Sequence, residues 1–122
     1  MIVGVGIDIV DLGEFRTRLS EALVRELFLP DEAAYASSRA RPWESYAARF
    51  AAKEAAMKAL GAGLSQGVAW TDIEVVREAT GELGLRLAGR ALDVARAKGV
   101  TRSWVSVAHS AATATAVVVL EA

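Results

Sequence analysis

Residues 46–61 read Tyr-Ala-Ala-Arg-Phe-Ala-Ala-Lys-Glu-Ala-Ala-Met-Lys-Ala-Leu-Gly, and this stretch leaves the backbone little choice. Alanine costs least to place in a helix, and no Gly, Pro or β-branched residue interrupts the run before Gly61. Gly61 supplies a residue that can adopt positive φ just past the last turn. The stretch is a helix. At 3.6 residues per turn, Phe50, Glu54, Met57, Lys58 and Gly61 share one stripe, while Arg49 and Lys53 lie on a neighbouring one. The alanines between them let other backbone approach closely, so the few long side chains are what must be explained. Taken alone, the pattern fits a surface helix with Glu54 and Lys58 as an i,i+4 pair contributing about 0.2–0.5 kcal/mol.

A second stretch changes that balance. Ile2 to Val10 is rich in Ile and Val and reads as a strand whose alternate side chains face opposite ways. Val3, Val5, Ile7 and Ile9 share one face. Gly4, Gly6 and Asp8 share the other, so a carboxylate follows two positions without side chains. Glycine inside a strand marks a place where a ligand or another backbone comes close. A carboxylate in so apolar a strand needs a partner, because an unpaired buried charge is costly. The competing reading makes Asp8 a cap on the next turn or helix.

The rest of the chain sets these stretches in an α+β frame. Asp11 and Glu14 have the D-x-x-E form of a helix start, and Leu12, Phe15, Leu19, Leu23 and Leu27 continue it to about Phe28. Leu29-Pro30 breaks that helix, and a short second one follows through Tyr35 to Ser38. Ser38 to Trp43 reads as a mobile loop. After the central helix, Gly61 to Gly67 form a glycine-rich connection whose amides can hydrogen-bond phosphate oxygens. It is not a P-loop, because the Lys-Ser/Thr pair is absent. Val68–Arg77 and Glu82–Leu87 read as a hairpin around Ala79-Thr80-Gly81. Arg86 to Lys98 is amphipathic, with Leu87, Leu92, Val94 and Ala95 inward, and ends at Gly99. Ser103–Ser110 and Thr113–Glu121 are β-rich. This order predicts an α+β domain on an antiparallel sheet, and 122 residues suit one domain, 1–122.

Composition excludes several functions. The chain has no cysteine, hence no disulfide framework or thiol chemistry, which suits a reducing cytosol. A net charge of −1 argues against a general nucleic-acid binder. No basic segment precedes Ile2 as in a signal peptide, and the longest apolar run, Ala116 to Leu120, is far too short to span a membrane. His109 is the only histidine, so a zinc site is not expected. No strand-turn-helix elbow presents Ser106 or Ser110 as a nucleophile.

Gly6-Ile7-Asp8-Ile9-Val10, followed by Arg49-Phe50-Ala51-Ala52-Lys53-Glu54-Ala55 and Lys58-Ala59-Leu60-Gly61, resembles the holo-acyl-carrier-protein synthases. These are the small 4′-phosphopantetheinyl transferases. The resemblance extends through Trp70-Thr71-Asp72-Ile73-Glu74-Val75 and Val105-Ser106-Val107-Ala108-His109-Ser110, nearly the whole chain in order. It implies transfer of 4′-phosphopantetheine from coenzyme A to a serine of an apo-acyl-carrier protein, releasing adenosine 3′,5′-bisphosphate, for fatty-acid or polyketide synthesis. It also implies a cytoplasmic homotrimer with sites between subunits. On this reading Asp8 and Glu54 hold Mg²⁺ (or Mn²⁺), Lys58 lies on the phosphates, and Glu54 takes the serine proton directly or through a metal-bound water. Arg49 and Lys53 hold phosphates or cross a subunit boundary. Gly61 belongs to the phosphate-binding turn, and His109 and Ser110 contact the nucleotide end of coenzyme A.

The chain departs from the family pattern in two places. Glu14 stands where many members have an arginine, which passes carrier docking to Arg16, Arg18 or Arg25. Leu83-Gly84 replaces a usual proline. Two other readings remain open at this point: a coenzyme A or nucleotide-binding module without catalysis, and a structural oligomeric α+β domain.

Overall fold

A computed structural model describes all 122 residues. Its frame is the contact between one helix and one sheet. Strand β1 (Ile2–Asp11) pairs antiparallel with β5 (Thr113–Glu121), and β5 pairs antiparallel with β4 (Arg102–His109), giving the order β1-β5-β4. A separate antiparallel hairpin joins β2 (Ile73–Arg77) to β3 (Leu83–Leu87). Three short helices follow β1: α1 (Leu12–Arg18), α2 (Glu21–Leu27) and α3 (Pro30–Ser37). The long helix α4 (Pro42–Leu60) comes next, and α5 (Gly89–Ala97) lies between the hairpin and β4. No helix is long and apolar enough to cross a membrane.

The alanines of α4 explain the packing. Ala51, Ala52, Ala55, Ala56 and Ala59 are all buried, together with Ala116, Val118 and Leu120 from the inner face of β5. Without long side chains in the way, β1 comes down onto the helix backbone. A Cβ placed on Gly6 would fall far inside contact distance of the Ala55 carbonyl oxygen, and one on Gly4 would do the same at Ala59. The interior glycines of β1 are therefore imposed by packing. Gly61 ends α4 at φ 71°, in the left-handed region, as its position in the sequence predicts.

The opposite face of the sheet has no cover. Val5, Ile7 and Ile9 are 57%, 64% and 68% exposed, and the register sets them beside Val119, Val117 and Thr115 of β5. Trp104 of β4 extends the same apolar surface. Val3, expected on this face, packs against the core instead, at an irregularity in register between Ile2 and Gly4.

Several expected boundaries move, each for a local reason. The continuous helix from Asp11 to Phe28 is two helices. Leu19 and Ser20 are extended, and the Ser20 side chain caps α2 by accepting from the Leu23 amide at 3.1 Å. Asp11 does cap α1, accepting from the Glu14 amide at 2.8 Å. The loop expected from Ser38 to Trp43 is confined to Ser38 to Arg41, since Pro42 occupies the first turn of α4, where its missing N–H costs nothing. Strand β2 starts at Ile73, because Trp70–Asp72 forms a 3-10 turn. Arg86 and Leu87 belong to β3, and α5 starts only at Gly89.

A buried ion pair ties the smaller elements to α4. Lys53 is fully buried, and its Nζ donates to Glu32 Oε1 at 2.8 Å, to the Trp70 carbonyl at 3.1 Å and to the Ile73 carbonyl. Glu32 in turn accepts from the Leu29 and Val75 amides, both at 2.9 Å. All three ammonium protons are used, so α3, α4 and β2 are fixed at one point.

The glycine contact yields a test. Gly6→Ala is expected to destabilise the fold by about 1–3 kcal/mol, because the helix carbonyl opposite cannot move without breaking its own ladder. Gly13→Ala, in a helix where the added Cβ meets only Asp11 Oδ1 at 3.4 Å, is expected to stabilise by about 0.5–1 kcal/mol. Urea unfolding of both variants measures the contrast.

Candidate active site

Pressing β1 onto α4 sets Asp8 beside two side chains of the helix. Lys58 Nζ donates to Asp8 Oδ1 at 2.9 Å and to the Ile7 carbonyl at 3.0 Å. Lys58 therefore pairs across elements with Asp8, and the expected Glu54–Lys58 surface pair does not form. Asp8 caps no helix; it stands within β1 opposite Ala116, and Thr115 Oγ1 donates to its carbonyl at 2.8 Å. Glu54 lies close enough to feel both neighbours. Burial raises its pKa above the ordinary carboxylate value, the Asp8 charge raises it further, and Lys58 opposes them. Two carboxylates and one ammonium thus share a partly buried spot, with the acids repelling each other.

The donor set suits a hard cation. No cluster of three or more His, Cys, Asp or Glu exists in the chain, which argues against a closed protein cage such as structural zinc requires. Mg²⁺ takes one or two carboxylates and fills its remaining positions with water and substrate phosphate. A divalent cation held by Asp8 and Glu54 would relieve their mutual repulsion.

A second site occupies the other end of α4. A cavity of about 690 Å³ is lined by Tyr35, Arg39, Arg41, Glu44, Arg49 and Arg77, with His109 at its edge. Arg49 is only 5% exposed, its Nη1 donates to Ser45 Oγ at 2.9 Å, and its Nε is buried without a partner. Burial lowers its pKa, against the opposing pull of Tyr35 and Glu32, and the neighbouring Arg77 charge adds a smaller lowering. Within the cavity Glu44 lies 3.4 Å from Arg41 and 3.9 Å from His109 Nδ1, and behind it Glu32 and Glu74 line the adjoining pocket with Arg49 and Arg77. The excess of positive charge makes the cavity a place for an anion. Asp8, Glu54 and Lys58 do not line it.

The remaining candidates divide. Gly61 lies at the same end of α4 as Lys58, one turn on. Lys53, expected at the phosphates, is instead sealed in the core with every donor committed. Residues 53 and 54 are neighbours in sequence but about 100° apart around the helix, so Lys53 faces α3 and β2 while Glu54 faces β1. Ser110 closes the β4–β5 turn, where its Oγ accepts from the Ala112 and Thr113 amides at 3.2 Å each, and it does not line the cavity. On α1 and α2, Arg18 pairs with Glu14 at 3.0 Å, the Arg16 guanidinium stacks 3.7 Å from the Trp43 ring, and Arg25 is exposed. Tyr35, Arg39, Arg41 and Arg77 were not singled out by the sequence. They come from α3, the turn before α4 and the end of β2, and no spacing along the chain connects them.

Known proteins share both the sequence and the fold of this chain. The profile of the 4′-phosphopantetheinyl transferase superfamily matches residues 4–116. A holo-[acyl-carrier-protein] synthase of Geobacter sulfurreducens is 47% identical over 99% of this chain and 98% of its own length. One from Clavibacter michiganensis subsp. michiganensis is 46% identical over 99% and 97%. The crystal structure of the Neisseria meningitidis synthase superposes with a TM-score of 0.88 at 31% identity, covering all of both chains. The Bacillus anthracis synthase, solved in complex with CoA (3′,5′-ADP), superposes with a TM-score of 0.83 at 34% identity over 100% and 98% of the two chains. With the glycine-bedded carboxylate, the acid and lysine on the alanine-rich helix and full-length likeness in both sequence and fold, the chain belongs to the 4′-phosphopantetheinyl transferase superfamily, among its holo-[acyl-carrier-protein] synthase enzymes.

Proposed function

We propose that the protein transfers 4′-phosphopantetheine from coenzyme A to a serine hydroxyl of an apo-acyl-carrier protein, releasing adenosine 3′,5′-bisphosphate, with Mg²⁺ held by Asp8 and Glu54. The observation that carries this reading is the convergence of those two carboxylates with Lys58, enforced by the Gly4 and Gly6 contacts. When bound, Mg²⁺ neutralises anionic oxygens of the pyrophosphate. Lys58 places a point charge on the same phosphates, reaching them by yielding Asp8. The serine oxygen attacks the phosphorus that carries pantetheine, and the bond from that phosphorus to the bridging oxygen of the nucleotide breaks. Glu54 takes the serine proton.

The arginine cavity with His109 takes the nucleotide end of coenzyme A in this account. It and the carboxylates lie on separate parts of one subunit, while the outer sheet face is apolar and uncovered. Both features support a homotrimer in which one subunit's cavity completes a neighbour's carboxylate site, with the face of Val5, Ile7 and Ile9 buried between copies. The acceptor, an acidic carrier protein, docks on α1 and α2 through Arg16 and Arg25, whose donors face solvent. Arg18 joins them by giving up Glu14, a surface pair worth about 0–1 kcal/mol. The function belongs to fatty-acid or polyketide synthesis in the cytoplasm.

Two measurements test this reading. Incubation with coenzyme A, Mg²⁺ and apo-carrier protein, followed by mass spectrometry of the carrier, is expected to show the phosphopantetheine mass. Asp8→Ala and Glu54→Ala should abolish the gain while the far-ultraviolet spectrum stays unchanged. A bare coenzyme A-binding module would show no gain with the wild type. Carboxyl NMR titration of Glu54 gives the electrostatics separately: its pKa should fall in Asp8→Asn, which removes the repulsion, and rise in Lys58→Met, which removes the opposing charge.

A further inference from the structure

Three guanidiniums of the anion cavity meet on one aromatic ring. The Cζ atoms of Arg49, Arg77 and Arg39 lie 4.4, 5.3 and 5.4 Å from the centroid of Tyr35. All four residues line the same cavity. Three other arginines pair with carboxylates, Arg18 with Glu14, Arg41 with Glu44 and Arg86 with Glu74, while Arg16 and Arg102 each stack singly on a tryptophan; Tyr35 alone gathers three. The two kinds of partner differ in what they leave free. A carboxylate occupies the N–H edge of a guanidinium, whereas an aromatic ring attracts the cation through its face and leaves the in-plane donors unspent. A ring is thus the side chain that can gather mutually repelling arginines while keeping their donors for an incoming anion. The buried Nε of Arg49, which has no protein partner, is one such donor.

Tyr35 is itself held on a rigid support. It lies one turn after Glu32 on α3, and Glu32 is fixed by Lys53 and by the Val75 amide. Arg49 is one turn before Lys53 on α4, and Arg77 lies two residues after Val75 on β2. The ring and two of its arginines therefore hang from the same buried node.

We propose that Tyr35 is a positioning residue for anion recognition, its ring presenting Arg39, Arg49 and Arg77 to the phosphate-bearing end of the coenzyme A nucleotide. This rests on the assignment of that nucleotide to the cavity. The ring does the positioning, so the hydroxyl is dispensable and the chemical step at Asp8 and Glu54 is untouched.

Titration calorimetry with adenosine 3′,5′-bisphosphate, beside steady-state kinetics on the full-length protein, tests it. Tyr35→Phe should bind the bisphosphate within about twofold of the wild type. Tyr35→Leu, at a half-buried position that accepts leucine, should bind it about five- to tenfold more weakly and raise KM for coenzyme A by the same factor, leaving kcat unchanged. Equal affinity in Tyr35→Leu and wild type would overturn the proposal, as would a Tyr35→Phe defect as large as that of Tyr35→Leu, or a loss of kcat at constant KM. The wild-type titration separates the two readings. Absence of bisphosphate binding there would refute the nucleotide assignment itself, whereas wild-type binding that Tyr35→Leu retains in full refutes only the role of the ring.

Discussion

The contact between the backbone of β1 and the backbone of α4 is the constraint from which the rest follows. Gly4 and Gly6 have no side chain because the Ala59 and Ala55 carbonyls leave no space for one. The helix is alanine-rich on that side for the same reason. Close approach by itself does no chemistry. Its consequence is that the next residue on that face of the strand, Asp8, arrives beside Lys58 and within electrostatic reach of Glu54. A bulkier pairing of helix and strand would hold the elements further apart and separate the acids.

Charge is handled in three ways along α4, and burial distinguishes them. At Lys53 the ammonium is wholly enclosed and every proton is matched, so the residue is a structural pin. Breaking such a pair by removing one partner typically costs about 3–5 kcal/mol, because the other charge is left buried alone. At Glu54 and Asp8 like charges are held close and only partly offset by Lys58, and burial together with that repulsion raises the Glu54 pKa. At Arg49 a buried guanidinium rests on a ring beside other arginines and keeps an unpaired Nε. One helix thus carries an acidic pair and an arginine cluster at different heights, separated by a neutralised pair.

The sequence made some of this legible and concealed the rest for identifiable reasons. The helix over 46–61 and the strand from Ile2 were readable because alanine content, Ile/Val content and a terminal glycine act locally. The break at Ser20 was concealed because Leu12, Phe15, Leu19, Leu23 and Leu27 keep helical spacing straight through it, and all five still pack inward across the kink. Lys53 was misplaced because a helix buried nearly all round presents no polar stripe to orient by. Its partner Glu32 lies 21 residues away on another element. The arginine cavity was concealed more completely, being assembled from α3, α4, the turn between them and β2. Asp8 and Glu54 were named together because a family resemblance joined two motifs that periodicity alone leaves unrelated, and the structure brings the two side chains near each other.

The account depends most on Asp8 and Glu54 acting as one cation site, and counting bound Mn²⁺ by electron paramagnetic resonance in the presence of coenzyme A tests this without relying on turnover. The account predicts tight Mn²⁺ binding by the wild type and its loss in Asp8→Asn and in Glu54→Gln alike. Retention of wild-type Mn²⁺ affinity by either variant would contradict it.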